Sequence, residues 1–456
     1  MALNKLAIHI QVGTRPDDHE ILLGEAFIKK WKIPPRQPIM LQFGSARREV
    51  RVESVKGLSA MRISESLANR LGLHQGAVLC LKYRPMDRTL RIGPLVGVLV
   101  SRVSRKTPQL PFGATTEFCK ELSEACRLYG GFVYFFTPDD ITTGISAING
   151  WVYHGGWGKR SMPVPDVLYN RLTSRKLENK PIVQQFVKEV KLRHRGFVFN
   201  EKYLDKTDVF QALQREQGLS ALLPESHLVK SYATLQGMCR KYGIVFLKPI
   251  TGSRGKGIIK IVRNPQSGYT VYFTSLNGMR KLTFASTKEL YSAIAGKLRA
   301  RPHQIQQGIR LIEIGGRPVD FRALVQRNQH GEWDVTSIVG RIAPNHTFVS
   351  NLARGGTLCT VKDALARSNL SAAGKKSAIL KLKQAALKIA KGIERQISGH
   401  YAELGVDLGL DTTGRVWLME VNTKPSKDDA KPASVQNKIR PSVRKLLEYC
   451  RYLANL

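Results

Sequence analysis

The chain has 456 residues, of which 42% are hydrophobic and 8% aromatic, so it carries enough apolar material for two or three hydrophobic cores and wholesale disorder is excluded. Its 72 Lys and Arg residues face 35 Asp and Glu residues, which gives a formal net charge of +37. This excess makes anionic molecules one class of partner to consider, but it does not identify one.

The sequence offers no membrane span, secretory signal or zinc site. The longest apolar run, Ile92–Val100, is far shorter than the roughly 20 residues of a membrane helix. The amino-terminal segment lacks a charged region followed by a long apolar core and a cleavage site. The six cysteines include no C-x-x-C pair, and the ten histidines include no H-E-x-x-H motif. We therefore expect a cytoplasmic protein with reduced thiols.

Residues 1–92 are predicted to form a small β-rich module. Short apolar runs alternate there with Gly, Pro and charged turns, which is typical of a small barrel or sandwich. One segment differs: Ser64–Leu73 predicts a short helix with Ser64 as its N-cap and Gly72 as its terminator. We see no internal repeat of 20 to 50 residues in the chain.

Residues 93–198 are predicted to form an α/β domain. An apolar strand at Leu95–Val100, an amphipathic helix at Thr115–Tyr129 and a second apolar strand at Phe132–Phe136 follow one another. This spacing predicts a parallel β-α-β unit. Two tryptophans farther on, Trp151 and Trp157, are interpreted as loop packing rather than as a ligand platform.

The positive charge is spread along the whole chain. It is dense on a helix predicted after Ser371, where most lysines lie outside the apolar stripe of the helix. We interpret them as a solvated helix face. No RNP, zinc-finger or helix-turn-helix signature accompanies the basic residues. An acidic protein partner, another polyanion or generic surface charge therefore stays open, and nucleic acid is the less favoured partner.

A candidate phosphate-binding element follows an apolar strand. The run Tyr242–Pro249 carries Lys248 near its end and opens into a glycine-rich segment, Thr251–Gly257. Glycines let backbone N–H groups approach phosphate oxygens, and a lysine leaving a strand can neutralise them at fixed range. The spacing matches neither a P-loop nor a dinucleotide-binding fingerprint, and a surface turn is the alternative. The candidate loop residues are Gly252, Ser253, Gly255 and Gly257.

A candidate metal site lies near the carboxyl end. Two apolar runs joined by a Thr-Thr-Gly-Arg turn predict a β-hairpin over residues 403–422. Strand side chains alternate, so Glu420 and Asn422 share a face while Val421 and Met419 point into packing, and the hairpin brings Asp407 within reach. Such oxygen donors suit Mg²⁺. The alternative is a hairpin with an ordinary polar face.

These two signals, in this order, resemble the ATP-grasp superfamily, in which a nucleotide lies between two α+β lobes. The strand Asp320–Val325 resembles the D-x-R-x-L-V strand of glutamate-adding ligases, and Ser350–Gly356 resembles their S-N-L-x-R-G-G loop, although Val349 replaces their preceding Arg. The resemblance implies nucleotide contacts for Lys206, Lys248, Gln306, Gln307, Asp320 and Asn351, phosphate or intermediate contact for Arg322, and Mg²⁺ ligation by Asp407, Glu420 and Asn422.

Over most of residues 90–430 the chain resembles more closely the YheC/YheD family of spore-coat-associated ATP-grasp proteins of endospore-forming bacteria. The segments Arg91–Leu99, Pro165–Arg171 and Phe199–Lys202 look like hallmarks of that family. The resemblance implies an α+β and α/β architecture: an ATP-grasp domain at 199–456, preceded by a pre-ATP-grasp domain at 93–198 and the β-rich module. It also implies an association with the spore coat.

The expected activity is that of an ADP-forming, ATP-dependent carboxylate–amine ligase. A carboxylate would form an acyl phosphate with ATP, and an amine or similar nucleophile would then displace the phosphate. Lys206, Lys248 and Arg322 would stabilise charge during phosphoryl transfer, with Mg²⁺ on the candidate metal residues. The carboxylate and nucleophile substrates are not indicated. The alternatives are a nucleotide-binding pseudoenzyme or structural coat-assembly protein and, less favoured, a nucleic-acid binder.

Overall fold

The computed structural model describes residues 7–104, 106–142, 147–250, 257–275, 278–344, 355–427 and 439–456. The predicted glycine-rich residues Gly252, Ser253 and Gly255, and Asn351 of the second loop, lie outside these ranges. Within the described ranges, no helix combines the length and the apolar character needed to cross a membrane.

Seven strands and two short helices build the amino-terminal module. The strands are β1 (Ala7–Gly13), β2 (Glu20–Gly24), β3 (Pro38–Phe43), β4 (Ala46–Val55), β5 (Ala60–Ser64), β6 (Val78–Arg84) and β7 (Thr89–Gly93). The helices are α1 (Glu25–Trp31) and α2 (Glu65–Leu71). The strands close into a barrel in the order β1-β5-β2-β4-β3-β7-β6.

The barrel contains an internal repeat, so the prediction that the chain has none is wrong. The series β2-α1-β3 recurs as β5-α2-β6, with starts at residues 20 and 60, 25 and 65, and 38 and 78, an offset of 40 each time. Between 20–43 and 60–83 only Glu25/Glu65 and Leu41/Leu81 are identical. The two copies therefore share burial and element order rather than residues, which hides the repeat from a comparison of letters.

The predicted caps of α2 are confirmed. Ser64 Oγ accepts a hydrogen bond from the backbone N–H of Leu67 at 2.9 Å, which satisfies one of the free donors at the helix start. Gly72 ends the helix with a φ of 71°, a left-handed conformation that glycine adopts without strain.

A six-stranded sheet, the middle sheet, follows the barrel. Its strands are β8 (Leu95–Leu99), β9 (Phe132–Phe136), β10 (Ala147–Tyr153), β11 (Trp157–Pro163), β12 (Val167–Asn170) and β13 (Phe197–Phe199), in the order β11-β10-β9-β8-β12-β13. Its helices are α3 (Thr116–Tyr129), α4 (Arg175–Glu178) and α5 (Pro181–Leu192). β8 and β9 pair in parallel across α3, as predicted. The Trp157 ring packs against Phe112 and Phe135, which confirms packing, but Trp151 and Trp157 lie on β10 and β11 and not in a loop as predicted.

The first lobe of the carboxyl-terminal half is a second six-stranded sheet. After α6 (Lys206–Gln214), its elements are β14 (Ser226–Leu228), α7 (Tyr232–Lys241), β15 (Ile244–Pro249), β16 (Ile259–Asn264), β17 (Gly268–Ser275), β18 (Gly278–Phe284), α8 (Thr287–Ala300) and β19 (His303–Gln307). The strand order is β14-β19-β15-β16-β17-β18. The lobe has a core of its own, to which Leu235, Leu247 and Leu290 belong.

The second lobe completes the chain. Its elements are β20 (Glu313–Ile314), β21 (Arg317–Arg327), β22 (Trp333–Ile342), β23 (Thr357–Thr360), α9 (Val361–Arg367), α10 (Ala372–Gln396), β24 (Glu403–Leu410), β25 (Val416–Asn422) and α11 (Pro441–Ala454). The strands follow the order β23-β22-β21-β24-β25, and β20 pairs with β21. Leu382, Ala386 and Ile389 of α10 pack in the core of this lobe.

The middle sheet lies between the barrel and two helices. Phe132 and Met162, on one face, share a core with Phe43 of the barrel. The opposite face packs against α3 and the carboxyl-terminal helix α11, through residues such as Phe118 and Leu446. The barrel and the middle sheet are therefore joined by one hydrophobic core.

Candidate functional site

A cavity of about 580 Å³ lies between the two carboxyl-terminal lobes. Its size is within the range of pockets that hold small molecules and cofactors. Four predicted site residues line it: Lys248, Gln306 and Gln307 from the first lobe, and Asp320 from the second. Apolar side chains form much of its walls, namely Ile244, Phe246, Ile258, Ile309, Leu311 and Met419.

Hydrogen bonds orient the polar residues of the first lobe. Lys248 Nζ donates to Gln306 Oε1, and Gln306 Nε2 donates to Ser226 Oγ at 3.0 Å. Gln306 pairs with Ser226 on one side, and on the other Lys248 pairs with Gln304, so Lys248 reaches Gln306 diagonally. The Gln307 backbone N–H donates to the Glu225 carbonyl at 2.8 Å. The Lys248 ammonium group is thus held beside β19, the strand that carries the predicted nucleotide contacts Gln306 and Gln307.

A row of alternating charges, the charge ladder, crosses the second lobe through Asp320, Arg341, Asp407 and Arg322. Strand register builds it: Asp320 faces Arg341 across β21 and β22, and Arg322 faces Asp407 across β21 and β24. Arg341 donates to Asp320 at 2.6 and 3.0 Å and approaches Asp407 Oδ2 at 3.1 Å. Arg322 donates to both oxygens of Asp407. Asp407 is therefore held by two guanidinium groups.

The contacts within the ladder favour the charged forms of Asp407 and Arg341. Burial raises the pKa of Asp407, but the charges of the neighbouring Arg322 and Arg341 lower it by a larger amount. The pKa of Asp407 is therefore below its usual value of 3.8. Burial lowers the pKa of Arg341, yet Asp407 and Asp320 raise it above its usual value. Arg341 is 5% exposed and Asp407 is 6% exposed, so water screens these charges little.

The candidate Mg²⁺ residues lie on adjacent strands next to the ladder. Asp407 faces Glu420 in the register of β24 and β25, as predicted, and Asn422 lies two residues farther on β25. Two carboxylates and one amide are hard oxygen donors that fit Mg²⁺. Over the described part of the chain, no three His, Cys, Asp or Glu residues converge on a metal position, so this candidate set depends on the amide of Asn422.

The prediction that Met419 points into packing is wrong. The pairing shifts from Asp407–Glu420 to Leu408–Leu418, which leaves Met419 as the extra residue of a β-bulge. Met419 consequently lines the cavity. Strict alternation along the strand cannot anticipate a bulge.

Lys206 and Gly257 are the two remaining predicted residues within the described ranges. Lys206 is the first residue of α6, and its side chain is outside what the structure describes. Gly257 has a φ of 73°, and a Cβ there would lie 3.3 Å from Pro249 Cγ, so both the conformation and the space favour glycine.

Sequence reasoning missed several charged residues of the site. Lys260, Arg310, Glu313 and Arg317 line the cavity, and Arg341 joins the two carboxylates of the ladder. Burial lowers the pKa of Lys260, and the charge of Glu313 partly offsets this effect. The alternation of β22 could have placed Arg341 opposite Asp320, but only once the hairpin register was known.

Solved ATP-dependent ligases resemble the chain at low identity. The ATP-grasp ligase PsnB complexed with minimal precursor gives a TM-score of 0.45 at 14% identity, covering 78% of this chain and 98% of that chain. D-alanyl-alanine synthetase A from Vibrio cholerae gives a TM-score of 0.44 at 13% identity, covering 80% of this chain and 98% of that chain.

Two curated relatives and a family model match much of the chain. Endospore coat-associated protein YheD of Bacillus subtilis is 31% identical over 372 residues, 81% of this chain and 80% of that protein. Endospore coat-associated protein YheC of the same organism is 24% identical over 332 residues, 71% of this chain and 88% of that protein. The family model described as YheC/D like ATP-grasp matches residues 195–453. The chain therefore belongs to the YheC/D-like ATP-grasp family, and its two carboxyl-terminal lobes form an ATP-grasp fold.

Proposed function

We propose that the protein binds Mg²⁺–ATP in the cavity between the lobes and acts as an ATP-dependent ligase that joins a carboxylate to an amine or similar nucleophile. The observation that carries this proposal is the meeting of Lys248 from one lobe with Asp320 from the other across a cavity of about 580 Å³. The charge ladder and the candidate Mg²⁺ residues lie directly beside it.

The cavity supplies a suitable environment for each part of a nucleotide. Phe246 and Met419 belong to its apolar walls, which suit a purine ring, and Glu313 offers a carboxylate to hydroxyl donors. Lys248 and Arg322 carry positive charge for phosphate oxygens, and such fixed charges stabilise a transferring phosphoryl group. Bound Mg²⁺ would add further charge neutralisation, held by Asp407, Glu420 and Asn422.

The proposed reaction has two steps. An oxygen of the substrate carboxylate attacks the γ-phosphorus of ATP, the bond to the bridging oxygen breaks, and ADP leaves. The nucleophile then attacks the acyl carbon, loses a proton and expels inorganic phosphate. The residues of this chain bind and orient the reactants and exclude water, so no protein nucleophile is needed.

A second candidate is a nucleotide-binding protein of the spore coat that does not turn ATP over. The observation that favours it is the double capture of Asp407 by Arg322 and Arg341, which occupies a carboxylate that Mg²⁺ would use. The names of the relatives, endospore coat-associated proteins, support a coat location under either candidate. With a net charge of +37, acidic coat proteins or other polyanions are the partners we propose there.

Isothermal titration of the full chain with ATP, with and without Mg²⁺, tests the nucleotide proposal. Lys248→Ala and Glu420→Gln should each weaken Mg²⁺–ATP binding at least tenfold, whereas Lys288→Ala, an exposed lysine of the same lobe, should not. ADP release in the presence of mixed carboxylates and amines separates a ligase from a binding protein. A folded wild type that does not bind ATP would refute both candidates.

A further inference from the structure

The five residues that follow β25, Thr423–Lys427, form a segment that we call the strap. It begins directly after Asn422, one of the candidate Mg²⁺ ligands. The strap lies against the carboxyl ends of β12 and β13 in the middle sheet. The residues that it contacts there are about 220 to 255 positions earlier in the sequence. It therefore connects the candidate metal strand to a different part of the molecule.

Lys424 is the centre of this connection. Its Nζ donates to the backbone carbonyls of Asn170 at 2.9 Å and Asn200 at 2.6 Å, and lies 3.2 Å from the carboxylate of Glu178. Its side chain is only 3% exposed. Asn170 ends β12 and Asn200 directly follows β13, so one ammonium group caps two neighbouring parallel strands.

Asn200 completes the connection from the other side. Its side-chain amide donates to the carbonyls of Glu403 and Thr423, and its Oδ1 accepts the backbone N–H groups of Ala402 and Glu403. Asn200 is fully buried and has a φ of 52°, a left-handed conformation that asparagine tolerates better than most residues. One side chain thus holds the start of β24 and the end of β25 together.

The far end of the strap has a second anchor. Lys427 Nζ lies 2.5 Å from the buried carboxylate of Glu403, and Arg171 Nη1 donates to the carbonyl of Pro425 at 2.9 Å. Tyr169 also donates to Glu403. Both ends of the strap are therefore tied to the start of β24 and to β12.

This network fixes geometry more than it adds stability. Burying charges costs several kcal/mol of desolvation per ion, and ion pairing often does no more than offset that cost. The carboxyl edge of parallel strands is also where α/β sheets usually bind ligands, and here the strap covers it. The network thus holds one end of β25 against the carboxyl edge of the middle sheet.

We propose that Lys424 is a positioning residue for the candidate metal site. By tying the strap to Asn170, Asn200 and Glu178, it holds the end of β25 so that Glu420 and Asn422 stay in register with Asp407. This inference rests on the proposed Mg²⁺–ATP binding and extends it to a residue that touches neither the nucleotide cavity nor the metal set.

Titration of ATP with and without Mg²⁺ tests it on the full-length chain. Lys424→Met should reduce the gain in ATP affinity caused by Mg²⁺ at least fivefold, while affinity without Mg²⁺ changes less than twofold. Lys424→Arg, which keeps the charge and the donors, should restore part of the gain. Leu67→Ala, in the buried barrel core, is the control for lost stability and should leave the gain unchanged.

The outcomes separate the inference from the proposed function. A Lys424→Met variant with the wild-type gain would overturn the inference and leave Mg²⁺–ATP binding intact. A wild type that does not bind ATP would overturn both. If Lys424→Met does not fold, Glu178→Gln replaces it, since it removes the ionic partner and keeps both carbonyl contacts. Glu178→Gln should then reduce the Mg²⁺-dependent gain in ATP affinity by less than Lys424→Met would, and an unchanged gain refutes the inference.

Discussion

Replacement of Arg341 by methionine should destabilise the second lobe strongly. Arg341 donates to Asp320 at 2.6 and 3.0 Å and approaches Asp407 at 3.1 Å, and its side chain is 6% exposed. Methionine keeps much of the volume but removes the charge and all three contacts. Removing one partner of a buried ion pair typically costs about 3 to 5 kcal/mol, because a buried charge loses its compensation. Since Arg322 still holds Asp407, we expect about 3 kcal/mol.

Urea denaturation followed through tryptophan fluorescence, to which Trp333 on β22 and Trp417 on β25 contribute, measures this loss. Asp320→Asn and the double variant complete a double-mutant cycle. The double variant should lose less than the sum of the single variants, with a coupling of about 1 to 3 kcal/mol. A loss below about 1 kcal/mol for Arg341→Met, or strict additivity with Asp320→Asn, would refute the reasoning.

Three further predictions concern stability. Burial lowers the pKa of Lys427 from 10.5 to about 8, so between these values the unfolded chain binds more protons and stability should rise with pH, with at most about 3 kcal/mol from this residue. The rise should be smaller in Lys427→Met than in the wild type, and an equal rise in both proteins from pH 7 to 10 would contradict this. Gly72→Ala should lower the melting temperature more than Gly76→Ala, because both have positive φ but only at position 72 would a Cβ lie within 3 Å of other atoms. Ser64→Ala should cost about 1 kcal/mol in urea denaturation, since Leu67 loses its cap acceptor.

Parts of the site that depend on neighbouring segments could be predicted from the sequence. Asp407 and Glu420 belong to one hairpin with a short turn, so the turn position brings them close together, although the bulge decides that Asp407 pairs with Glu420 rather than with Met419. The caps of α2 are equally local, because Ser64 and Gly72 act within their own helix. Such predictions need no knowledge of how distant segments meet.

The features that sequence analysis missed depend on contacts between segments or on the local fit of strands. Asn170 and Lys424 are 254 residues apart, and no periodicity reports their contact. Arg341 joins Asp320 and Asp407 only after three strands have found their register. The bulge that turns Met419 towards the cavity depends on the local fit of β24 and β25, which alternation does not encode. The barrel repeat was hidden because its two copies share the order of elements but only two identical residues.

The charge ladder and the strap act on the same hairpin from different sides. The ladder ties β24 laterally to β21 and β22, whereas the strap ties the end of β25 to the middle sheet. The first lobe, residues 226–307, instead has a core separate from that of the second lobe. The cavity can therefore widen or narrow at the lowest cost in free energy by a rotation of the first lobe. Such a rotation opens neither core and breaks no buried ion pair of the ladder or strap. Such a motion would carry Lys248 towards the fixed carboxylates, so the candidate metal residues would form the frame and the first lobe would supply the closure.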